Sequence, residues 1–240
     1  VALSGESADE VFGGYLQFFD EDARRADTFP WLVRFGRHFG DDTGVLRSDL
    51  SKSLDLKSYV ADGYRTAVAA VDRLDGESDF EYRMRQISHM HLTRFVRALL
   101  DRKDRASMAV GLEVRVPFCD HRLVEYVYNA PWALKSFDGR EKSLLREAAA
   151  DVLPRSVYDR VKSPYPSTQD PKYAVALQEQ VKDLLAQPSH RVFDLVDRGR
   201  VQQAAELETP VSTQVERRGL ERTLDLAKWL DLYAPEVVLS

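Results

Sequence analysis

Apolar positions recur every three to four residues along most of the chain, the spacing that gathers them on one face of an α-helix. That period predicts helices over 31–38, 56–74, 80–108 with an internal break, 122–129, 142–152, 172–185, 192–207 and 215–232. Alternation with a period of two is confined to 1–4, Val-Ala-Leu-Ser, and to 112–116, Leu-Glu-Val-Arg-Val, closed by Pro117. One or two strands are therefore expected, and the chain reads as mainly α, an N-terminal strand followed by a helical bundle. Asp55, Asp120 and Asp170 precede three of the helices, where a carboxylate can accept first-turn N–H groups, and Pro171 suits a first helical position. Trp31, Trp132 and Trp229 fall in or beside helical stretches and are expected in the core.

The 240 residues are 44% hydrophobic and 30% charged, ordinary values for a globular chain. No apolar run approaches the ~18 residues that a membrane helix requires. Disordered, collagen-like and membrane-spanning classes are excluded. A net charge of −5, from 34 basic and 39 acidic residues scattered along the chain, provides no positive field for nucleic acid. Cys119 is alone and the five histidines fall in no metal-ligand spacing, so a disulfide framework and a CxxC or HExxH site are ruled out. A reducing, cytoplasmic setting follows as the expectation. The chain opens on an apolar run that ends in Ser4-Gly5 and lacks an initial Met, as expected of a piece cut from something longer.

Three constellations could carry chemistry. The first is Ser4-Gly5-Glu6-Ser7-Ala8-Asp9-Glu10, running into Val-Phe-Gly13-Gly14-Tyr15. A strand that ends in Ser-Gly and three carboxylates places acids at the C-terminal edge of a sheet, where open α/β folds bind ligands. Gly5 lets a ligand approach the backbone, and Gly13-Gly14 permits a sharp turn; the competing reading is a solvated acidic turn. Gly5-Glu6-Ser7 is only half of a GxSxG elbow. The second constellation, Asp101 to Arg105, is five consecutive charges, which by themselves read as a solvated helix face. Beyond it, Glu113 and Arg115 alternate with apolar residues and share one side of a short strand. The third sets Lys142 and Arg146 on one helical face, with Lys162 just before the proline-rich stretch 162–171; such cations could converge on phosphate oxygens. His89 and His91, two apart on a helix, point to different faces, which argues against a metal site.

Taken in order, LSGESADEVFGGY, DRASMAVGLEVRVPFCD, GREKSLLREAAADVLP and RVKSPYPS resemble the C-terminal synthetase domain of glutamine-hydrolysing asparagine synthetases. The likeness covers Leu3 to about Ser167. It implies an α/β ATP-pyrophosphatase-type (adenine nucleotide α-hydrolase-like) domain, of which 1–240 would be the C-terminal, mainly helical part. It also implies ATP and Mg²⁺ as cofactors, aspartate as acceptor, and ammonia from an upstream glutaminase domain. No nucleic-acid or membrane partner is implied, and a homo-oligomer is left open. Residue by residue, Ser4 and Gly5 match the strand-end pair that contacts nucleotide. Glu6 matches the acid needed to form or aminolyse the acyl-adenylate, Asp9 a carboxylate that helps to hold Mg²⁺, and Lys162 the loop lysine that neutralises charge as pyrophosphate leaves. Lys142 and Arg115 are carried over as phosphate-side or structural members.

Two departures accompany the likeness. The family's SGEGxDE has Gly where this chain has Ser7, which bears on the turn beyond Glu6. Many members carry an acid five to seven residues before the position of Asp104, where this chain has Arg97, Ala98 and Leu99; Asp101 is off register. The SGGxDS pyrophosphate loop and the glutaminase cysteine do not occur in these 240 residues, which by themselves are expected to be inactive. Two alternatives stand beside the main reading: an amide ligase or cyclase for another acid, such as a β-lactam synthetase or peptide cyclase, and a non-catalytic helical interaction module.

Overall fold

The computed structural model describes residues 1–35, 44–163, 170–207 and 214–238. The chain divides into two compact units, Val1–Arg37 with Val60–Ser163, and His38–Tyr59 with Pro164–Ser240. The proline-rich stretch singled out in the sequence lies largely outside the described residues.

In the first unit, β1 (Ala2–Leu3) pairs in parallel with β2 (Val114–Arg115), Ala2 opposite Val114 and Leu3 opposite Arg115. Both predicted strands exist and are partners of each other. Helices α1 (Ala8–Phe12), α2 (Leu56–Ala69), α3 (Asp79–Met90), α4 (Val96–Met108), α5 (His121–Tyr128) and α6 (Ser143–Ala148) follow in chain order. The break expected within 80–108 is a π-helical turn, His91–Phe95, between α3 and α4. Such turns place one extra residue in a helix and often mark functional sites. The helix predicted over 142–152 begins only at Ser143, because Lys142 adopts a left-handed backbone with φ 56°.

Two apolar clusters build this unit. Phe18, Tyr64, Ala67, Met84, Ile87, Met90 and Trp132 form one, flanked by the half-buried Tyr15, Phe19, Phe29, Trp31 and Val68. Val11, Phe12 and Val127 form the other and anchor α1 against α5. Asp120 accepts from the Arg122 N–H at 2.9 Å and, in the second unit, Asp55 accepts from the Ser58 N–H at 3.2 Å, both as the sequence predicts.

The second unit is built on α7 (Pro171–Leu185), α8 (Arg198–Ala205) and α9 (Gln214–Tyr233). Asp170 caps α7 through Lys172 N–H at 2.9 Å, with Pro171 in the first turn. Ala174, Leu177, Val181 and Leu184 are buried at helical spacing, and the last three pack with Val45, Val192, Val196, Val201, Leu220 and Leu230. The helix predicted over 192–207 is instead a 3-10 turn, Arg191–Asp194, an antiparallel bridge of Val196 to Leu46, and then α8 capped by Asp197. The tertiary bridge to Leu46 outweighs helical propensity at 195–197. Trp229, expected in the core, is 45% exposed on α9.

Candidate active site

The site grows out of the end of β1. Ser4 N–H donates to the Arg115 carbonyl at 2.9 Å, and Ser4 Oγ accepts from Glu6 N–H at 3.2 Å, turning the chain away from the sheet. Beside Gly5 there is open space where a side chain would stand, as an approaching ligand requires. Ser7 has φ 76°, the left-handed backbone that glycine adopts freely. Serine thus reproduces the turn that the family's Gly suggests, and its buried Oγ lies 2.7 Å from Cys119 Sγ. That burial also removes Ser7 as a nucleophile.

Helix α1 then carries Asp9 and Glu10 and stops at Gly13, whose φ is 72°. A Cβ on Gly13 would stand 2.5 Å from the Trp132 ring, and one on Gly14 would stand 2.9 Å from Asp9 Cα and run into the Asp9 carboxylate. Gly13 is required by its backbone and by contact, Gly14 by contact alone.

Asp9 is the hub. Lys142 Nζ donates to its Oδ1 and Lys162 Nζ to its Oδ2, each at 2.6 Å. Burial pushes the Asp9 carboxyl upward, but the hydrogen bonds from the two lysines more than reverse this and hold it below the ordinary carboxylate value. Lys162 Nζ also donates to the Gly14 carbonyl at 2.8 Å and lies 4.3 Å from the centre of the Tyr15 ring. Its backbone N–H donates to Glu141 Oε1 at 3.0 Å. Arg146, read from sequence as a cation that could converge on phosphate with Lys142, has another job. Its guanidinium pairs with Glu141 at 2.6 Å and donates to the carbonyls of Tyr158 at 2.6 Å and Arg160 at 3.0 Å. It therefore clamps the segment that delivers Lys162.

Tyr15 is the floor under Lys162. Its hydroxyl donates to Glu10 Oε1 at 2.8 Å, and its ring stacks on His91 with centroids 5.7 Å apart. Glu10 is 1% exposed, and its carboxyl is raised by burial, against the opposing hydrogen bond from Tyr15. His91, in the π turn, is fully buried among Tyr15, Phe18, Trp31 and Phe95. The Ile87 carbonyl, 2.9 Å from Nδ1, can only accept, so Nδ1 carries the proton and Nε2 accepts from Gln17. Burial pushes the imidazole down to about 4 and keeps it neutral. His91 is thus a packing residue, in line with the argument against a metal site.

Glu6 faces a second pair of cations, Lys103 Nζ at 3.4 Å from Oε2 and Arg102 at 3.8 Å from Oε1. Sequence reasoning read 101–105 as a solvated face and missed both. A signal was present: Lys103 lies seven residues after the buried Val96, on the same face of α4. Glu113 and Arg115 do share one side of β2, joined at 2.8 Å, but the pair is exposed and no described contact joins Arg115 to Asp9, Lys142 or Lys162. Only the Arg115 backbone serves the site, through Ser4.

Two carboxylates interleaved with four cations at a strand end can neutralise and orient phosphate oxygens, the main task in phosphoryl and nucleotidyl transfer. The donor set fits the phosphates of ATP, through Lys142 and Lys162. It does not fit a resident Mg²⁺ on Asp9: both oxygens are taken by ammonium groups. Among the described residues no three His, Cys, Asp or Glu gather as ligands.

Such a donor set suits a ligand that carries phosphate oxygens. Residues 1–231 match the asparagine synthase family. The chain is 43% identical over 208 residues to glutamine-hydrolyzing asparagine synthetase 3 of Bacillus subtilis (strain 168), covering 87% of this chain and 33% of that protein. It is 31% identical over 137 residues to the amidase chyE of Penicillium rubens, 54% of this chain and 20% of that protein. It is 28% identical over 196 residues to glutamine-hydrolyzing asparagine synthetase 1 of B. subtilis, 69% and 30%. The chain belongs to the asparagine synthase family, whose synthetase domain has an adenine nucleotide α-hydrolase-like fold and uses ATP. It spans a third or less of the length of these relatives. No described helix is long and apolar enough to cross a membrane.

Proposed function

We propose that residues 1–240 are the C-terminal part of the synthetase domain of a glutamine-dependent asparagine synthetase. An oxygen of the aspartate side-chain carboxylate attacks the α-phosphorus of ATP, the bond to the β-phosphate breaks, and pyrophosphate leaves. Ammonia from a glutaminase domain then attacks the acyl carbon; a C–N bond forms, the C–O bond to AMP breaks, and a proton passes from nitrogen to base. Lys142 and Lys162 neutralise the departing pyrophosphate, Glu6 serves the acyl centre, and Ser4 and Gly5 line the nucleotide. Mg²⁺ enters this reading as the ion carried by ATP. The 240 residues alone are expected to release no pyrophosphate.

The observation that carries the reading is the convergence of Lys142 and Lys162, 20 residues apart in sequence, on the two oxygens of Asp9 at a strand end. The test is pyrophosphate release by the full-length enzyme with ATP, Mg²⁺ and aspartate. Glu6→Gln and Lys162→Ala should each abolish the aspartate-dependent release and leave glutamine hydrolysis in place. Release that survives in both variants refutes the assignment.

A second reading keeps the chemistry and changes the acid. Arg97, Ala98 and Leu99 favour it, standing where an acid is expected, as does the likeness to the P. rubens amidase. Release with another carboxylic acid and none with aspartate would select it.

A further inference from the structure

Of the described side chains, two have a buried polar atom without a hydrogen bond, and both belong to the site: Glu10 Oε2 and Lys103 Nζ. The Glu10 carboxyl is raised toward the neutral form, and its other oxygen is held by Tyr15. Lys103 has no such relief. Its ammonium has three donors, and its one ionic neighbour among the described residues, Glu6 Oε2 at 3.4 Å, makes an ion pair without a hydrogen bond. A buried ammonium with its donors unmet is costly, and an anionic oxygen placed against it removes that cost.

We propose that Lys103 Nζ is a binding point for an anionic oxygen of the acceptor acid, next to Glu6. This rests on the reading of the chain as an acid-activating synthetase. The charges are divided in a way that favours the acid over the nucleotide as the source of that oxygen. Lys142 and Lys162 stand together on Asp9 as a phosphate-facing pair, whereas Lys103 stands with Glu6. With Arg102 also within 3.8 Å of Glu6, this side keeps one positive charge in excess, enough for a single carboxylate. Lys103 thereby determines which acids are accepted.

The experiment is pyrophosphate release by the full-length enzyme, with acid and ATP varied separately, for wild type, Lys103→Met and Lys103→Arg. A lost hydrogen bond between charged groups corresponds to about a tenfold or larger change. Lys103→Met should raise KM for the acid by about that factor and leave KM for ATP unchanged. Lys103→Arg should recover part of the loss, since it restores the charge. A rise in KM for ATP alone would assign the oxygen to a phosphate and overturn the proposal, as would unchanged KM for both. If wild type releases no pyrophosphate with any acid, the functional reading has failed. Calorimetric titration of the same proteins with aspartate and with inorganic pyrophosphate then decides about Lys103. Weaker aspartate binding in Lys103→Met supports the proposal, and weaker pyrophosphate binding alone, or no difference, overturns it.

Discussion

Acidification should unsettle the platform beneath Lys162, and the size of the effect follows from the burial of His91. Its imidazole is held neutral at about 4, against 6.5 for an ordinary histidine, because desolvation penalises the cation inside a ring of Tyr15, Phe18, Trp31 and Phe95. In the unfolded chain His91 takes up a proton near pH 6.5, while in the folded chain it resists until about pH 4. The unfolded state therefore binds more protons across that window, and stability falls as the pH drops through it. The contribution is complete above pH 6.5, and at about 1.4 kcal/mol per pH unit roughly 3 kcal/mol is lost by pH 4. Some 2 kcal/mol of that should be gone at about pH 5. The assay is urea unfolding between pH 7.5 and 4.5, followed by tryptophan fluorescence, for wild type and His91→Gln. The variant loses stability at every pH, so the diagnostic is the slope. Wild type should lose about 2 kcal/mol more than the variant between pH 7 and 5. Parallel pH dependences would refute the argument, since carboxylates elsewhere titrate in both proteins and cancel in the difference.

Other outcomes follow from the same geometry. Gly14→Ala pushes a methyl group into the Asp9 carboxylate, and should abolish synthetase activity while the far-UV circular dichroism stays native. Glu141→Ala removes the acceptor for Lys162 N–H and the partner of Arg146; amide exchange at Lys162 should accelerate about tenfold, corresponding to a charge-assisted hydrogen bond. In the second unit, Val181→Ala truncates a fully buried side chain and should cost about 1–3 kcal/mol in urea melts.

Much of this arrangement was legible in the residues. The strand ending at Ser4 and the glycine turn after α1 follow from local patterns, because turns and caps are short-range events; the meeting of Lys142 and Lys162 on Asp9, 133 and 153 residues away, does not. The pairing of β1 with β2 was not, since it joins segments over a hundred residues apart that alternation identifies only one at a time. Arg146 was misread for a similar reason: its helical face is periodic, but its partners are carbonyls of a later segment that carry no sequence signature. Lys103 was hidden by its neighbours. Amid five charges the solvated reading wins, and only the register from Val96 shows that one of them turns inward. Trp229 shows the reverse error, a large apolar residue left at the surface where helix periodicity alone suggested burial.

Ser7 and Lys142 share an uncommon property: both are non-glycine residues in the left-handed backbone region, on either side of Asp9. This inverts the usual pattern of mutational tolerance. Glycine, damaging at most ordered positions, is the backbone's preferred occupant at both, while β-branched replacements meet a steric barrier of about 1–2 kcal/mol. In a saturation library, Gly at 7 should be nearly neutral, the relief of the backbone offsetting the lost contact with Cys119, whereas Val and Ile should be depleted. At 142 the same library should separate folding from chemistry, because Gly would preserve the turn into α6 and delete the charge that Asp9 holds.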